Sequence, residues 1–124
     1  MSKILVVDDD TDICELISFK LSSMGHEVIV EHDGEAGLGA AKAEMPDVVV
    51  LDWMMPRLTG LEVCVALRDD ATLSRVPVIL LTAKAQEPDV QQGFSAGADD
   101  YIVKPFSPRE LGSRIDVLLS RVRS

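Results

Sequence analysis

The stretch VVVLDWMMP, Val48 to Pro56, decides how this chain is to be read. Four apolar residues describe a strand covered on both faces, yet the run ends on a single carboxylate, Asp52, followed by Trp53, two methionines and a proline. A strand buried on both faces is characteristic of a parallel sheet with helices on either side. A charge at its carboxyl end therefore points to a site.

Working outward from that stretch, short runs rich in β-branched residues recur at Lys3 to Val7, Val28 to Val30, Pro77 to Leu81 and Tyr101 to Val103. Helical patterns separate them. Ile13, Ile17, Leu21 and Met24 share one face of a first helix that Gly25 stops. A last helix opens on Ser107, Pro108 and Glu110, continues through the stripe Leu111, Ile115, Leu118, Leu119 and Val122, and carries Arg121 and Arg123 where the helix dipole favours cations. A third helix is expected from about Thr59 to Arg68 and a fourth near Asp89 to Ser95. The second is expected to be weak and mobile, since Gly37 and Gly39 each cost about 1 kcal/mol relative to alanine in a helix interior.

Five βα units predict an α/β fold: a single doubly wound, flavodoxin-like (βα)5 domain over residues 1–124 with a five-stranded parallel sheet. Right-handed crossovers with strand order 2-1-3-4-5 place helices 1 and 5 on one face and helices 2, 3 and 4 on the other. Cys14 and Cys64 then lie on opposite faces, which argues against a disulfide, and the cysteines are given no function. No apolar run is long enough to span a membrane and the N-terminus lacks a signal-peptide pattern, so a cytoplasmic location is expected. With 12 Lys and Arg against 21 Asp and Glu, a formal charge of −9 disfavours direct nucleic-acid binding by this domain.

Parallel strands bring their carboxyl ends to one edge, where Asp8, Asp9 and Asp10, then Asp52, Thr82-Ala83 and Lys104-Pro105 should converge. Asp8, Asp9 and Asp52 would repel one another without a cation, and an all-oxygen cluster suits Mg²⁺ or Mn²⁺. Lys104 adds positive charge and Thr82 a hydroxyl. Such a set is what a transferring phosphoryl group needs, with Asp52 as the acceptor because it stands alone on the central strand.

The segments ILVVDDD, VVVLDWMMPRLTG, LLTA and GADDYIVKPFSP resemble, in order and over essentially the whole chain, the response-regulator receiver domain of two-component phosphorelay signalling. GADDYIVKPFSPREL is especially similar to the winged-helix (OmpR/PhoB-like) branch. The resemblance implies a regulatory phosphoacceptor rather than an enzyme, one that promotes its own phosphorylation and slow autodephosphorylation. A sensor histidine kinase, a phosphotransfer protein or a small acyl phosphate would phosphorylate Asp52. Asp8, Asp9, Asp52 and the Met54 backbone carbonyl would bind Mg²⁺, and Thr82, the Ala83 backbone and Lys104 would bind the phosphoryl group. Thr82 and Tyr101 would form the switch, the Tyr101 ring moving inward, and the bond before Pro105 would be cis. Met54 and Lys84 would flank the path of the attacking water.

The winged-helix resemblance also implies that helix 4, strand 5 and helix 5 form the surface that controls an effector domain or protein, as a monomer or weak phosphorylation-dependent dimer. Asp99 or Asp100 could pair with Arg114 in it, while Val90 stands where a basic partner for Glu110 is expected. Trp53 reads as a partly exposed packing residue. His26 and His32 flank strand 2 and, with Glu27 and Glu31, read as guards against edge pairing rather than metal ligands. Two other readings fit less well. A haloacid-dehalogenase-like phosphatase shares the Asp-x-Asp at strand 1 but has another residue where Asp12 stands, and a flavodoxin-like carrier needs a hydroxyl-rich phosphate loop in place of DDDTD.

Overall fold

The computed structural model describes residues 2–83 and 86–123, the side chains of Val122 and Arg123 excepted; Lys84 and the end of the last helical stripe thus lie outside the described residues. Strands and helices alternate as β1 (Lys3–Val7), α1 (Thr11–Ser23), β2 (Glu27–Glu31), α2 (Gly34–Glu44), β3 (Val48–Asp52), α3 (Gly60–Asp69), β4 (Val78–Thr82), α4 (Glu87–Ser95), β5 (Asp100–Val103) and α5 (Pro108–Arg123). All strand pairs are parallel, in the order β2-β1-β3-β4-β5. This is the expected topology.

Because side chains alternate along a strand, each central strand feeds two cores. Leu5, Val7, Val49, Leu51 and Leu80 face Ala41 of α2 and Val63, Cys64 and Leu67 of α3, whereas Ile4, Val6, Val48, Val50, Ile79 and Leu81 face Cys14, Ile17 and Leu21 of α1 and Leu111, Ile115 and Leu118 of α5. The two cysteines sit in opposite cores as free thiols.

The caps explain where the helices begin. Asp10 caps α1 by accepting from the backbone N–H groups of Asp12 and Ile13 at 2.9 and 3.2 Å. Thr59 and Glu62 form a reciprocal capping box at α3, and Ser107 Oγ accepts from Glu110 N at 3.1 Å at the start of α5. Gly25 follows α1 with φ of +90°. The helix stop read at that position is a left-handed residue.

The account of α2 changes. Its glycines do not prevent an eleven-residue helix, and Gly37 is required by packing: a Cβ there would lie 2.7 Å from Val7 Cγ2. Gly39 meets nothing within 4 Å. Packing, then, explains one of the two unfavourable residues.

Candidate functional site

The site is built where β1, β3, β4 and β5 end. Residue pairing Val7 with Leu51 sets Asp8 beside Asp52, and pairing Thr82 with Val103 brings Lys104 to the same edge. Gly60 allows α3 to start against the end of β3, since a Cβ there would overlap the Asp52 carbonyl oxygen at 2.3 Å. Backbone bonds from Trp53 N to Leu81 O (2.9 Å), Gly60 N to Trp53 O (2.8 Å) and Lys104 N to Thr82 O (2.7 Å) fix this edge.

Asp8, Asp52 and Thr82 are 0%, 6% and 1% exposed, so the charged groups stand in a poorly solvated setting. Lys104 Nζ donates to Asp8 Oδ2 at 3.0 Å and to Asp52 Oδ1 at 3.1 Å. One carboxylate oxygen from each of Asp8, Asp9 and Asp52 can be chosen so that all three lie within 4.8 Å of one another. Asp10 N donates to Asp8 Oδ1 at 2.9 Å, which orients that carboxylate.

Burial, and then the neighbouring Asp8 charge, push the Asp52 carboxyl up from 3.8 to about 6; Lys104 opposes the shift without cancelling it. The Lys104 ammonium is itself raised, because its bonds and charge contacts with Asp8 and Asp52 outweigh burial. Among the described residues, one lysine thus stands against three acids and is bonded to two of them. The set still has room for positive charge.

The structure brings together Asp8, Asp9, Asp52, Thr82 and Lys104, and the Lys104–Pro105 bond is cis. Ala83 follows at the end of β4 and is exposed. Met54, two residues beyond Asp52, turns a side chain that is 62% exposed to solvent. The Tyr101 ring lies inside, hydrogen-bonded to Thr82 and edge-on to Trp53 at 6.1 Å between centroids. Gly93 leaves the space for it, since a Cβ there would lie 3.1 Å from the ring. Trp53 is buried rather than partly exposed.

Val90 is partly buried and packs against the core beneath α4. Asp99 is engaged by Arg68 at 2.8 Å, and within the chain Arg114 contacts Asp100 at 2.7 Å and Glu110 at 3.8 Å. Sequence reasoning gave Cys14 and His32 no part. Both reach the Asp8 main-chain carbonyl, at 3.3 and 3.1 Å. The β1–β2 register was the signal that could have found His32, since Val7 pairs with Glu31 and the next residues are Asp8 and His32.

A (βα)5 sheet with an acid cluster and a lysine at its carboxyl edge defines a class, and the comparisons agree: residues 4–116 match the Response regulator receiver domain family, and the chain belongs to it. It is 47% identical over 119 residues to the alkaline phosphatase synthesis transcriptional regulatory protein PhoP of Bacillus subtilis, covering 96% of this chain and 49% of that one. It is 50% identical over 120 residues to the probable transcriptional regulator ycf27 of Porphyridium aerugineum, covering 97% of this chain and 49% of the relative. The chain therefore spans about half the length of these curated relatives.

Among solved structures, the receiver domain of the Francisella response regulator 1452 superposes with a TM-score of 0.93 at 37% identity, covering 98% of this chain and 99% of that one. The BeF3-activated DrrB receiver domain gives 0.88 at 41%, covering 97% and 98%. No helix among the described residues is long and apolar enough to cross a membrane.

Proposed function

We propose that the chain is a phosphoacceptor switch in which Asp52 takes a phosphoryl group from a phosphohistidine of a sensor kinase or phosphotransfer protein, or from a small acyl phosphate. The observation that carries this reading is the placement of a nearly buried Asp52 against Lys104, beside Asp8 and Asp9. An Asp52 oxygen attacks phosphorus, the bond from phosphorus to the donor breaks, and an acyl phosphate forms on Asp52. Lys104 turns from Asp52 toward the incoming oxygens, and the Thr82 hydroxyl and the Ala83 N–H donate to them.

Three clustered carboxylates, two of them bonded to Lys104, fit a divalent cation with oxygen ligands. Asp8, Asp9, Asp52 and the Met54 carbonyl would hold Mg²⁺ or Mn²⁺, which when bound neutralises charge on the transferring group. The groove formed by Ile13, Leu16, Pro105 and Phe106 beside Lys104 offers the donor protein an apolar foothold next to the acceptor.

The same reading gives the output. Thr82 and Tyr101 are bonded through their side chains, so a pull on Thr82 by the phosphoryl group is passed to the ring and from there to Phe94, 6.3 Å away on α4. The face formed by α4, β5 and α5 then engages an effector domain or protein, as a monomer or a weak dimer. Transcriptional regulators among the relatives support an effector of that kind.

Incubation with acetyl phosphate and Mg²⁺ should add one phosphoryl mass to the chain, and Asp52→Asn or chelation should abolish the addition. Modification that persists in Asp52→Asn would overturn the assignment.

A further inference from the structure

Outside the carboxylate cluster, three possible metal donors of differing hardness meet at one point. Asp8 and His32 are neighbours because β1 and β2 are in register, and the first turn of α1 returns Cys14 over the end of β1. Cys14 Sγ lies 3.3 Å from the Asp8 carbonyl oxygen, His32 Nδ1 lies 3.1 Å from the same oxygen, and Sγ and Nδ1 are 3.9 Å apart.

Without a cation, a weak thiol donor and an imidazole nitrogen share one acceptor. These separations also match a coordination shell. Zinc takes sulfur at about 2.3 Å and nitrogen or oxygen at about 2.0–2.2 Å, so a tetrahedron built from such bonds has edges of about 3.4–3.6 Å. The three observed edges differ from these by less than about 0.4 Å.

Access and charge favour the same occupant. A cleft of about 340 Å³ lined by Thr11, Cys14, Glu15, Ser18, Val30 and His32 leads to the otherwise buried thiol, leaving a way in and space for water as a fourth ligand. Ser18 Oγ has no hydrogen-bond partner among the described residues and lines that cleft, where it could hold such a water. The nearby negative charges of Asp8 and Asp10 stabilise a dication that replaces the thiol proton.

We propose that Cys14 Sγ, His32 Nδ1 and the Asp8 carbonyl form a site for a thiophilic cation of the Zn²⁺ class, separate from the carboxylate cluster. Sulfur and imidazole favour Zn²⁺ over Mg²⁺, whereas the clustered carboxylates suit Mg²⁺, so the two sites sort their ions by ligand softness. Because both use Asp8, Zn²⁺ at the first weakens Mg²⁺ binding at the second.

Co²⁺ serves as the coloured probe for Zn²⁺. Titrated into the intact chain in excess Mg²⁺, it should produce a sulfur-to-cobalt charge-transfer band that one equivalent of Zn²⁺ removes. Cys14→Ser should abolish the band, His32→Ala should weaken binding by about tenfold or more, and Cys64→Ser and Asp52→Asn should retain it. Absence of the band in the natural chain, or its survival in Cys14→Ser, would overturn the proposal. Phosphoryl uptake at Asp52, read by mass in the same samples without Co²⁺, tests the other reading separately.

Discussion

The two ends of the sheet treat charge in opposite ways. At the amino ends of β4 and β5, Arg68 of α3 donates to Gly97 O at 2.9 and 2.7 Å, to Val76 O at 2.6 Å, to Ser74 O at 3.3 Å and to Asp99 Oδ2 at 2.8 Å; Asp99 in turn accepts from Val78 N at 2.8 Å. Arg68 and Asp99 are each other's counterpart there. At the carboxyl ends, Asp8 and Asp52 share Lys104, Asp9 stands beside them, and burial raises the Asp52 carboxyl. One end spends its polar groups on holding α3, β4 and the turn before β5 together, while the other leaves, among the described residues, an imbalance that a bound cation would relieve.

The largest expected effect lies at the balanced end. Arg68→Ala removes the donor of a charge-assisted network and strands several carbonyls, and hydrogen bonds to charged groups contribute about 1.5–3 kcal/mol. A loss of roughly 3 kcal/mol is expected in urea unfolding. Phosphoryl uptake by the folded fraction should stay close to that of the natural chain, since Arg68 belongs to the other end of the sheet. A loss below about 1 kcal/mol would show that water satisfies these carbonyls as well as Arg68 does.

At the unbalanced end the sign reverses. The folded Asp52 carboxyl titrates near 6 against an ordinary 3.8, so between those values the folded state holds more proton than the unfolded one. Stability from this group therefore falls as pH rises from about 4 to 6, and the deficit is complete above that. At pH 7 without divalent cation, Asp52→Asn should stabilise the fold by roughly 1–2 kcal/mol, less than the full shift implies because water reaches part of the site. The gain should vanish near pH 4. With Mg²⁺ the order should narrow or invert, because the natural chain gains more from the cation than the variant does. Thermal unfolding at both pH values, with and without Mg²⁺, checks all three statements; destabilisation by Asp52→Asn at pH 7 without Mg²⁺ would show that the Lys104 bond outweighs the repulsion.

The unbalanced end was the more legible in the sequence, for a physical reason. Its groups follow directly on strands, and parallel strands must place their carboxyl ends together, so Asp8, Asp52, Thr82 and Lys104 could be assembled from apolar runs alone. Nothing comparable marks Arg68. Apart from the Asp99 carboxylate, its acceptors are main-chain carbonyls up to 29 residues away, and carbonyls have no residue identity to read. Tyr101 could be named as a switch residue, but the room for its ring was not legible, because it comes from the missing Cβ of Gly93 on another element. Cys14 and His32 are 18 residues apart in sequence and become neighbours only through strand register.

The smallest expected effect tests whether the imbalance depends on how closely α2 approaches β1. By helix propensity alone, replacing either interior glycine of α2 by alanine should stabilise by about 1 kcal/mol. The structure separates them. Gly39 has open space around its Cβ position, so Gly39→Ala should gain roughly 0.5–1 kcal/mol and leave the site untouched. Gly37 lies against Val7, where an added methyl group would sit 2.7 and 2.8 Å from the two γ carbons. Overpacking at such a contact costs about 1–3 kcal/mol, which offsets the propensity gain and leaves a net loss near 1 kcal/mol. Val7 immediately precedes Asp8, so relief of that clash moves the end of β1 and with it one carboxylate of the cluster. Weaker Mg²⁺ binding is therefore expected in Gly37→Ala and unchanged binding in Gly39→Ala, measured by calorimetric titration at pH 7. Equal Mg²⁺ affinity in both variants would show that the α2 contact supports the strand without setting the position of its terminal acid.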